Sequence, residues 1–271
     1  MKRKIILTGS KGFVGKNIFE YFKKKNIHII KIPTKSFLTK KNHLNNITHI
    51  LHVGFDMRKN NANVKSQLKI LKNICSQAKK NNTKIIFLSS SCFGPSNKRK
   101  IFVKTSYQLA KKKCEDFLIK YRKKKIGSII LRTFNLYGPG QNEGFIISDA
   151  ISKVNKNKEI ELYNHKNFRD FIFIEDLVEA IYKCVKFDIN NKILEIGSGK
   201  SYSVKFIYNL VSLLLKKKIK FSFKKPYSSI PKHTKALIRN NKKLINWYPK
   251  TNIKEGIKLT IKSYEKDSNI I

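Results

Sequence analysis

The stretch KIILTGSKGFVG, residues 4–15, decides the fold of this chain. It begins with a short apolar run, which is typical of a buried parallel strand, and continues with three glycines at a spacing of three residues. Beyond them, Val14, Ile18 and Phe22 recur at the spacing of one helix face. Glycines at the point where a strand turns into a helix favour a dinucleotide-binding loop over a loop that merely turns.

Each glycine has a physical role in such a loop. Gly9 permits the tight turn, Gly12 lets the backbone approach a pyrophosphate, and Gly15 lets the helix pack close to the strand. The phosphates then meet the free N–H groups and the positive dipole end of the helix. The cofactor-binding residues predicted in this stretch are Thr8, Gly9, Gly12, Phe13, Val14 and Gly15.

Length and composition limit the classes of protein to which the chain can belong. Its 271 residues suffice for one large domain, or for one domain with a lobe. No apolar run reaches the roughly 18 residues of a membrane span. The first residues, Met-Lys-Arg-Lys, lead straight into the first strand, so we expect a cytoplasmic protein without membrane insertion. Four scattered cysteines show no spacing typical of a metal site or a disulfide framework.

The formal net charge of +42 raises the question of an anionic partner. The lysines are spread over every segment and accompany abundant asparagine and isoleucine, which indicates the codon bias of an A+T-rich genome. No single element combines basic and aromatic residues in a nucleic-acid-binding motif. We therefore expect no specific nucleic-acid partner, although the charge should attract an anionic substrate and cofactor.

The end of the second predicted strand, residues 27–32, bears on the choice of cofactor. In many dinucleotide-binding folds an acidic residue there binds the ribose 2′-hydroxyl. This chain has Lys31 and Lys35 nearby and no acidic residue. NAD and NADP therefore both remain possible cofactors. The missing acidic residue and the two lysines favour NADP, but only slightly, because lysines are common throughout the chain.

Polar residues follow the later strands, where ligands of parallel sheets bind. The third predicted strand ends at Gly54, and the fourth, residues 84–88, leads into Ser89-Ser90-Ser91. Further on, Tyr107 and Lys111 lie four residues apart and therefore share one helix face. The alternative to a ligand site at the three serines is a simple serine-rich turn. The alternative to a functional Lys111 is a solvated lysine on the helix surface. A separate apolar stripe on the same helix means that Tyr107 is not needed for the core.

Taken in order, these motifs resemble those of the extended short-chain dehydrogenase/reductases, the NAD-dependent epimerase/dehydratase family that modifies nucleotide sugars. Four later segments also resemble family motifs: LRTFNLYGPGQ at 131–141, FRDFIFIED at 168–176, LEIGSG at 194–199 and Trp247-x-Pro249. The resemblance covers nearly the whole chain. It implies an α/β fold, a Rossmann-like doubly wound parallel sheet with a smaller C-terminal substrate lobe.

The resemblance also implies how the chain divides into domains. The expected NAD(P)-binding domain comprises 1–135 with 168–193, and the expected substrate-binding lobe comprises 136–167 with 194–271. Family members often dimerise through two helices that correspond here to the helix opening at Asn63 and the helix bearing Tyr107. A homodimer is therefore predicted, unless the apolar stripes of these helices simply face the sheet.

Catalytic roles follow from the same resemblance. It implies that Ser89, Tyr107 and Lys111 form the catalytic set, with Ser90 as the alternative because the triple serine permits a shift by one residue. Tyr107 would exchange a proton with the sugar oxygen while hydride passes to or from the nicotinamide. A free tyrosine titrates at about pH 10, and a nearby cation such as Lys111 favours the ionised phenol. Ser89 would hydrogen-bond the reacting oxygen.

The resemblance implies further contacts with both ligands. Gly54, Asn63, Tyr107 and Lys111 would contact the cofactor. Asn135 and Arg169 would contact a nucleotide-diphospho-sugar, since the planar guanidinium suits phosphate. A local ion pair of Arg169 with its sequence neighbour Asp170 is the alternative.

Departures from the family pattern narrow the reaction. Ser90-Ser91 stand where the 4,6-dehydratases carry Asp-Glu, and the stretch directly after Gln141 has no histidine of the kind that the 3,5-epimerising branch requires. The prediction is therefore an NAD(P)-dependent 4-epimerase or 4-keto reductase that serves polysaccharide biosynthesis and uses no metal. The alternative is a non-catalytic NAD(P)-binding regulatory or RNA-associated protein of the same fold.

Overall fold

The computed structural model describes residues 3–39, 45–55, 64–91, 105–122, 127–156, 159–187, 189–225 and 231–268. Asn63, predicted to contact the cofactor, lies outside these residues. The chain forms two compact units. The first consists of Met1–Thr133, Val178–Ile196 and Arg239–Trp247, and the second of Phe134–Leu177, Gly197–Ile238 and Tyr248–Ile271.

Both units are discontinuous in sequence, as are both domains predicted from the motifs. The compact units differ from that prediction at four segments, because 134–135 and 168–177 fall in the second unit, and 194–196 and 239–247 fall in the first. The functional division into a cofactor domain and a substrate lobe remains our proposal.

The described strands are β1 (Lys4–Thr8), β2 (His28–Ile32), β3 (His49–His52), β4 (Lys84–Ser90), β5 (Ser128–Thr133), β6 (Asn135–Tyr137), β7 (Glu159–Leu162), β8 (Phe168–Phe173), β9 (Lys192–Ile196), β10 (Ser201–Ser203) and β11 (Lys220–Phe223). The described helices are α1 (Phe13–Lys24), α2 (Ser36–Thr39), α3 (Val64–Lys80), α4 (Ser106–Tyr121), α5 (Ile146–Lys156), α6 (Ile174–Lys186), α7 (Val204–Leu214), α8 (Asn241–Ile245) and α9 (Ile253–Ser268).

The first unit is built on a six-stranded parallel sheet in the order β2-β1-β3-β4-β5-β9. Its central strands β1, β3, β4 and β5 are almost wholly buried, as expected for a sheet covered on both faces. The strand order changes direction between β1 and β3, and such a switch point leaves a crevice at the carboxyl ends of the strands. The predicted α/β fold with a doubly wound parallel sheet is confirmed.

Helices pack on this sheet in two layers. One buried cluster joins α3 and α4 to the central strands through Ile70, Ile74, Phe87, Cys114 and Leu118. A different contact joins α1 to α6, where the rings of Tyr21 and Phe22 meet the ring of Tyr182 edge-on.

The apolar stripe of α4 is largely used inside this unit. Ala110 and Cys114 are fully buried, and Phe117 and Tyr121 pack against the same cluster as partly buried residues. The stripe therefore has a function in the protomer, and the predicted homodimer remains a prediction.

The second unit contains two small sheets. β10, β8 and β6 form one, and β11 pairs with β7 in the other. Asp170 on β8 is fully buried, and its carboxylate accepts hydrogen bonds from Ser198, Gly199 and Ala236 at 2.7–2.9 Å. One carboxylate thus fastens three segments of the unit. Across the part of the chain that the structure describes, every helix is too short or too polar to cross a membrane.

Candidate active site

Close backbone packing shapes the loop after β1. Gly9 has a φ of +74°, and a Cβ added there would lie 2.4 Å from the Cα of Gly54, which follows β3. A Cβ added at Gly15 would lie 2.1 Å from the carbonyl oxygen of Gly9. Because real side chains do not tolerate such distances, glycine is required at these positions if β1, β3 and α1 are to meet as they do.

Gly12 differs from the other two glycines of the loop. Among the residues that the structure describes, a Cβ added there would meet only the carbonyl oxygen of Gly9, at an ordinary 3.5 Å, so these residues leave room on that side. Gly12 is exposed and is the N-cap of α1, whose first N–H groups receive no side-chain cap. An exposed helix start of this kind binds anions, and it fits the diphosphate of a dinucleotide. Phe13 and Val14 form the first turn of the helix.

Thr8 is paired with a buried histidine. Its hydroxyl lies 2.8 Å from Nδ1 of His52, the residue directly opposite on β3. Both side chains are buried, and the His52 ring stacks on Phe87. Burial, with a smaller contribution from the charge of Lys111, lowers the pKa of His52 to about 3. His52 is therefore neutral near pH 7 and packs between the strands.

Lys111 occupies an aromatic environment at the end of β4. The residue is 2% exposed, and its ammonium donates a hydrogen bond of 2.6 Å to the carbonyl oxygen of Leu88. The ammonium lies 3.9 Å from the ring centroid of Phe55, 4.9 Å from that of Phe87 and 5.9 Å from that of Tyr107. Aromatic faces attract cations, so these rings hold the charge in place. Lys111 is thus not the solvated lysine of the alternative interpretation.

Tyr107 lies in the first turn of α4, whose start is fixed by a capping box. Thr105 accepts a hydrogen bond from the Gln108 N–H at 3.2 Å, and the Gln108 side chain accepts one from the Thr105 N–H at 3.1 Å. The half-buried Tyr107 ring meets Phe55 edge-on at 5.5 Å. Tyr107 and Lys111 are therefore brought together.

The serines after Leu88 lie in different surroundings. Ser89 is 2% exposed, and its hydroxyl donates a hydrogen bond of 2.9 Å to the carboxylate of Glu115 on α4. Ser90, the last residue of β4, is half-buried. Both serines are candidates from the sequence, and the Ser89 hydroxyl commits its proton to the interior through its hydrogen bond with Glu115.

Asn135 and Arg169 lie on neighbouring strands of the second unit, β6 and β8. The amide of Asn135 donates to the carbonyl oxygen of Asp170 at 2.7 Å. Arg169 is 9% exposed, donates to the carbonyl oxygens of Phe168 and Pro231, and has a pKa lowered by burial. Since the Asp170 carboxylate binds three other residues in two other segments, the suggested ion pair with Arg169 does not account for this arginine.

Three residues near this site were not predicted from the sequence: Phe55, Phe87 and Glu115. Phe87 lies within β4 and Phe55 follows β3, and both have the sequence pattern of ordinary core residues. Glu115 carried a usable signal, because it continues the four-residue spacing of Tyr107 and Lys111 along α4. Within the described ranges, no three His, Cys, Asp or Glu side chains cluster so as to bind a metal ion.

Comparison with known proteins identifies the family and the fold. The family model described as "NAD dependent epimerase/dehydratase family" matches residues 5–197. The chain is 37% identical over 106 residues to GDP-6-deoxy-D-talose 4-dehydrogenase of Aggregatibacter actinomycetemcomitans, which covers 39% of this chain but only 36% of that protein. It is 24% identical over 290 residues to CDP-abequose synthase of Salmonella muenchen, covering 95% of this chain and 97% of that protein.

A solved structure shares the fold at low sequence identity. MoeE5 in complex with UDP-glucose and NAD superposes with a TM-score of 0.86 at 18% identity, covering 98% of this chain and 99% of that one.

Proposed function

The chain belongs to the NAD dependent epimerase/dehydratase family, and we propose that it is an NAD(P)-dependent enzyme acting at carbon 4 of a nucleotide-diphospho-sugar. The reaction is either 4-epimerisation or reduction of a 4-keto sugar. The observation that carries the proposal is the buried ammonium of Lys111, 5.9 Å from the ring centroid of Tyr107. A cation beside a phenol favours the ionised form, as a proton-transferring tyrosine requires.

The residues proposed to hold the cofactor fit a dinucleotide. Gly9, Gly12 and Gly15 form the loop, and Gly12 leaves open the side from which a diphosphate can approach the start of α1. Two further proposed cofactor contacts lie at the ends of neighbouring strands. Gly54 follows β3, and the Lys111 ammonium is bonded to Leu88 on β4. When bound, the nicotinamide supplies the hydride acceptor or donor for the sugar carbon.

The residues of the chain move and orient the proton. Tyr107 accepts the proton of the sugar hydroxyl at its phenolic oxygen, or returns it to the keto oxygen. Lys111 supplies positive charge beside the Tyr107 ring, and a serine hydroxyl from Ser89 or Ser90 orients the reacting oxygen. In the second unit, Asn135 and Arg169 are the proposed contacts of the nucleotide and the diphosphate.

Turnover of defined sugar nucleotides tests the reaction. We expect either consumption of NADPH or NADH with dTDP-4-dehydro-6-deoxyglucose, or conversion of UDP-glucose to its 4-epimer with catalytic NAD. Consumption is followed by absorbance of the reduced nicotinamide, and epimerisation by chromatography and mass spectrometry. A mass spectrum of ligand retained through purification extends the search to other sugars and bases.

The contrary outcome is also defined. If the protein binds the reduced cofactor but turns over no sugar nucleotide, this result supports the alternative function, a non-catalytic NAD(P)-binding protein. Filter binding of RNA then examines that alternative, and RNA binding that vanishes by about 200 mM salt is nonspecific phosphate attraction.

Cofactor preference provides a separate prediction, which rests on Lys35. The ammonium of Lys31, on β2, lies 3.3 Å from the ring centroid of Phe19 on α1, so this lysine is already engaged with that helix. Lys35 is exposed after β2. One charge-assisted contact contributes roughly 1.5–3 kcal/mol, about tenfold to a hundredfold in affinity. We expect NADPH to bind at least as tightly as NADH.

Fluorescence titration with both reduced cofactors measures this preference. Lys35→Ala should weaken NADPH binding about tenfold and leave NADH binding nearly unchanged. Lys31→Ala is the matched control and should have the smaller effect on NADPH. A wild-type protein that binds NADH tenfold more tightly than NADPH would contradict this reading and favour the epimerase.

A further inference from the structure

A buried carboxylate lies on α4 behind the Tyr107–Lys111 pair. Glu115 is 1% exposed and follows Lys111 by four residues and Tyr107 by eight. Residues at this spacing lie along one side of a helix. Glu115 therefore extends the face that carries Tyr107 and Lys111 into the protein interior.

Glu115 joins α4 to two strands of the sheet. Its carboxylate accepts a hydrogen bond from the Ser89 hydroxyl on β4 at 2.9 Å and one from Nε of Arg132 on β5 at 2.9 Å. A second guanidinium nitrogen of Arg132 completes an ion pair with the same carboxylate. Ser89 and Arg132 are themselves opposite each other in the β4–β5 register. The three side chains, Glu115, Ser89 and Arg132, form what we call the Glu115 cluster.

The Glu115 cluster lies beside the hydrogen bond between Lys111 and Leu88. Lys111 donates to the carbonyl oxygen of Leu88, and one helical turn later Glu115 accepts from Ser89, the next residue of β4. Two successive turns of α4 are thus bonded to two successive residues of β4. Apolar burial is non-directional, whereas these hydrogen bonds specify one position of the helix along the strand.

Net stability alone is a weak reason for such a cluster. Burying an ion pair costs desolvation free energy that its mutual attraction often only offsets, and apolar replacements of both partners are often as stable. A geometric role accounts better for a carboxylate placed between the strand ends and the helix that carries Tyr107.

We propose that Glu115 is a positioning residue, which with Arg132 holds α4 so that Tyr107 and Lys111 stand at the carboxyl end of β4, and that Ser89 belongs to this cluster. The inference rests on the proposed function for its catalytic consequence. A serine hydroxyl has one proton, and that of Ser89 is donated to Glu115. The hydroxyl that donates to the reacting oxygen is then that of Ser90, which is half-buried and one residue nearer the strand end.

A double-mutant cycle separates the two serines. Ser89→Ala and Ser90→Ala are each made in the wild type and in Glu115→Gln, and kcat and KM are measured with dTDP-4-dehydro-6-deoxyglucose and NADPH, or with UDP-glucose if that is the substrate turned over. Glu115→Gln should lower kcat by about 10- to 100-fold, with KM nearly unchanged, because misplacement of a reacting group costs rate rather than binding.

The decisive comparison is the effect of each serine substitution on kcat in the wild type and in Glu115→Gln. Ser89→Ala should lower kcat in the wild type and have little further effect in Glu115→Gln, because both changes disturb one cluster. Ser90→Ala should lower kcat by the same factor in both backgrounds. Asp116→Asn is the matched control, since that carboxylate is on the same helix, 47% exposed and paired with Lys112, and it should leave kcat unchanged.

Two kinetic results would overturn the proposal. One is a Ser89→Ala loss that is equal in both backgrounds, which would mean that Ser89 touches the reacting oxygen. The other is a Glu115→Gln protein with wild-type kcat. If Glu115→Gln does not fold, Glu115→Leu combined with Arg132→Met removes both charges together and serves as the background.

A second experiment, which needs no sugar-nucleotide substrate, tests the positioning role of Glu115 independently of the proposed function. Amide hydrogen exchange across residues 105–115 is measured with NADPH present. Glu115→Gln and Ser89→Ala should speed exchange, whereas Ser90→Ala and Asp116→Asn should match the wild type. If the wild type turns over no sugar nucleotide, the proposed function fails while this exchange pattern still supports positioning. Unchanged exchange in both Glu115→Gln and Ser89→Ala overturns it.

Discussion

Replacing Tyr107 with phenylalanine lowers turnover by about 10²- to 10⁴-fold, the usual contribution of a positioned acid or base, while the cofactor still binds. The substitution removes only the phenolic oxygen. The ring keeps its edge-on contact with Phe55 and its place beside the Lys111 ammonium. The measurements are steady-state kinetics on the accepted sugar nucleotide and a fluorescence titration with NADPH.

Tyr121→Phe is the matched control for this prediction. Tyr121 lies on the same helix, but its ring stacks on Phe117 at the other end. Its hydroxyl has no part in the proposed chemistry, so turnover should stay at the wild-type level. If Tyr107→Phe also retains full turnover, proton transfer belongs to another group and the assignment of Tyr107 is wrong.

The part of the fold that sequence predicts well is the part specified by local patterns. An apolar strand, three glycines and an amphipathic helix follow one another within residues 4–24, and each is visible without its neighbours in space. The order of the later motifs adds the parallel sheet. The positions of Tyr107 and Lys111 on one helix face follow from their spacing alone.

The surroundings of Ser89 could not be predicted in this way. The apolar run ends at Leu88, so the strand was expected to end there, but β4 continues to Ser90. Ser89 therefore lies within the β4–β5 pairing, where its hydroxyl meets Glu115. In a chain with 59 Lys and Arg, no sequence pattern marks Arg132 and Glu115 as the pair that is buried together.

The alternative interpretation of Arg169, a local ion pair with Asp170, rested on adjacency in sequence. Arg169 and Asp170 follow each other in sequence, which made a local ion pair plausible. Successive side chains of a strand point to opposite faces, and both residues lie in β8. Asp170 accordingly binds Ser198, Gly199 and Ala236 instead.

Alanine at Gly12 and at Gly15 should separate cofactor binding from folding. At Gly15 the added Cβ would lie 2.1 Å from the Gly9 carbonyl oxygen and 2.7 Å from the Ser10 Cα, both backbone atoms. The helix must shift, so we expect a loss of about 1–3 kcal/mol in the free energy of unfolding, the usual cost of overpacking. Cofactor affinity should fall with it, because the start of α1 moves.

At Gly12 the protein accommodates the same methyl group. Its nearest described neighbour would be 3.5 Å away, and the φ of −81° is open to any residue. An alanine N-cap is poorer than glycine by less than about 1 kcal/mol, so the free energy of unfolding should change little. The methyl group would instead occupy the side from which a diphosphate approaches the α1 N–H groups. Losing one or two charge-assisted hydrogen bonds should weaken NADPH binding by about tenfold to a hundredfold.

Denaturant unfolding and NADPH titration of both variants distinguish the two effects. The expected pattern is a stable Gly12→Ala protein that binds NADPH weakly, beside a destabilised Gly15→Ala protein. A Gly12→Ala protein with wild-type affinity would mean that the diphosphate does not approach the backbone at this residue. The glycine loop would then be explained by the packing of β1, β3 and α1 alone, since that packing already requires Gly9, Gly15 and Gly54.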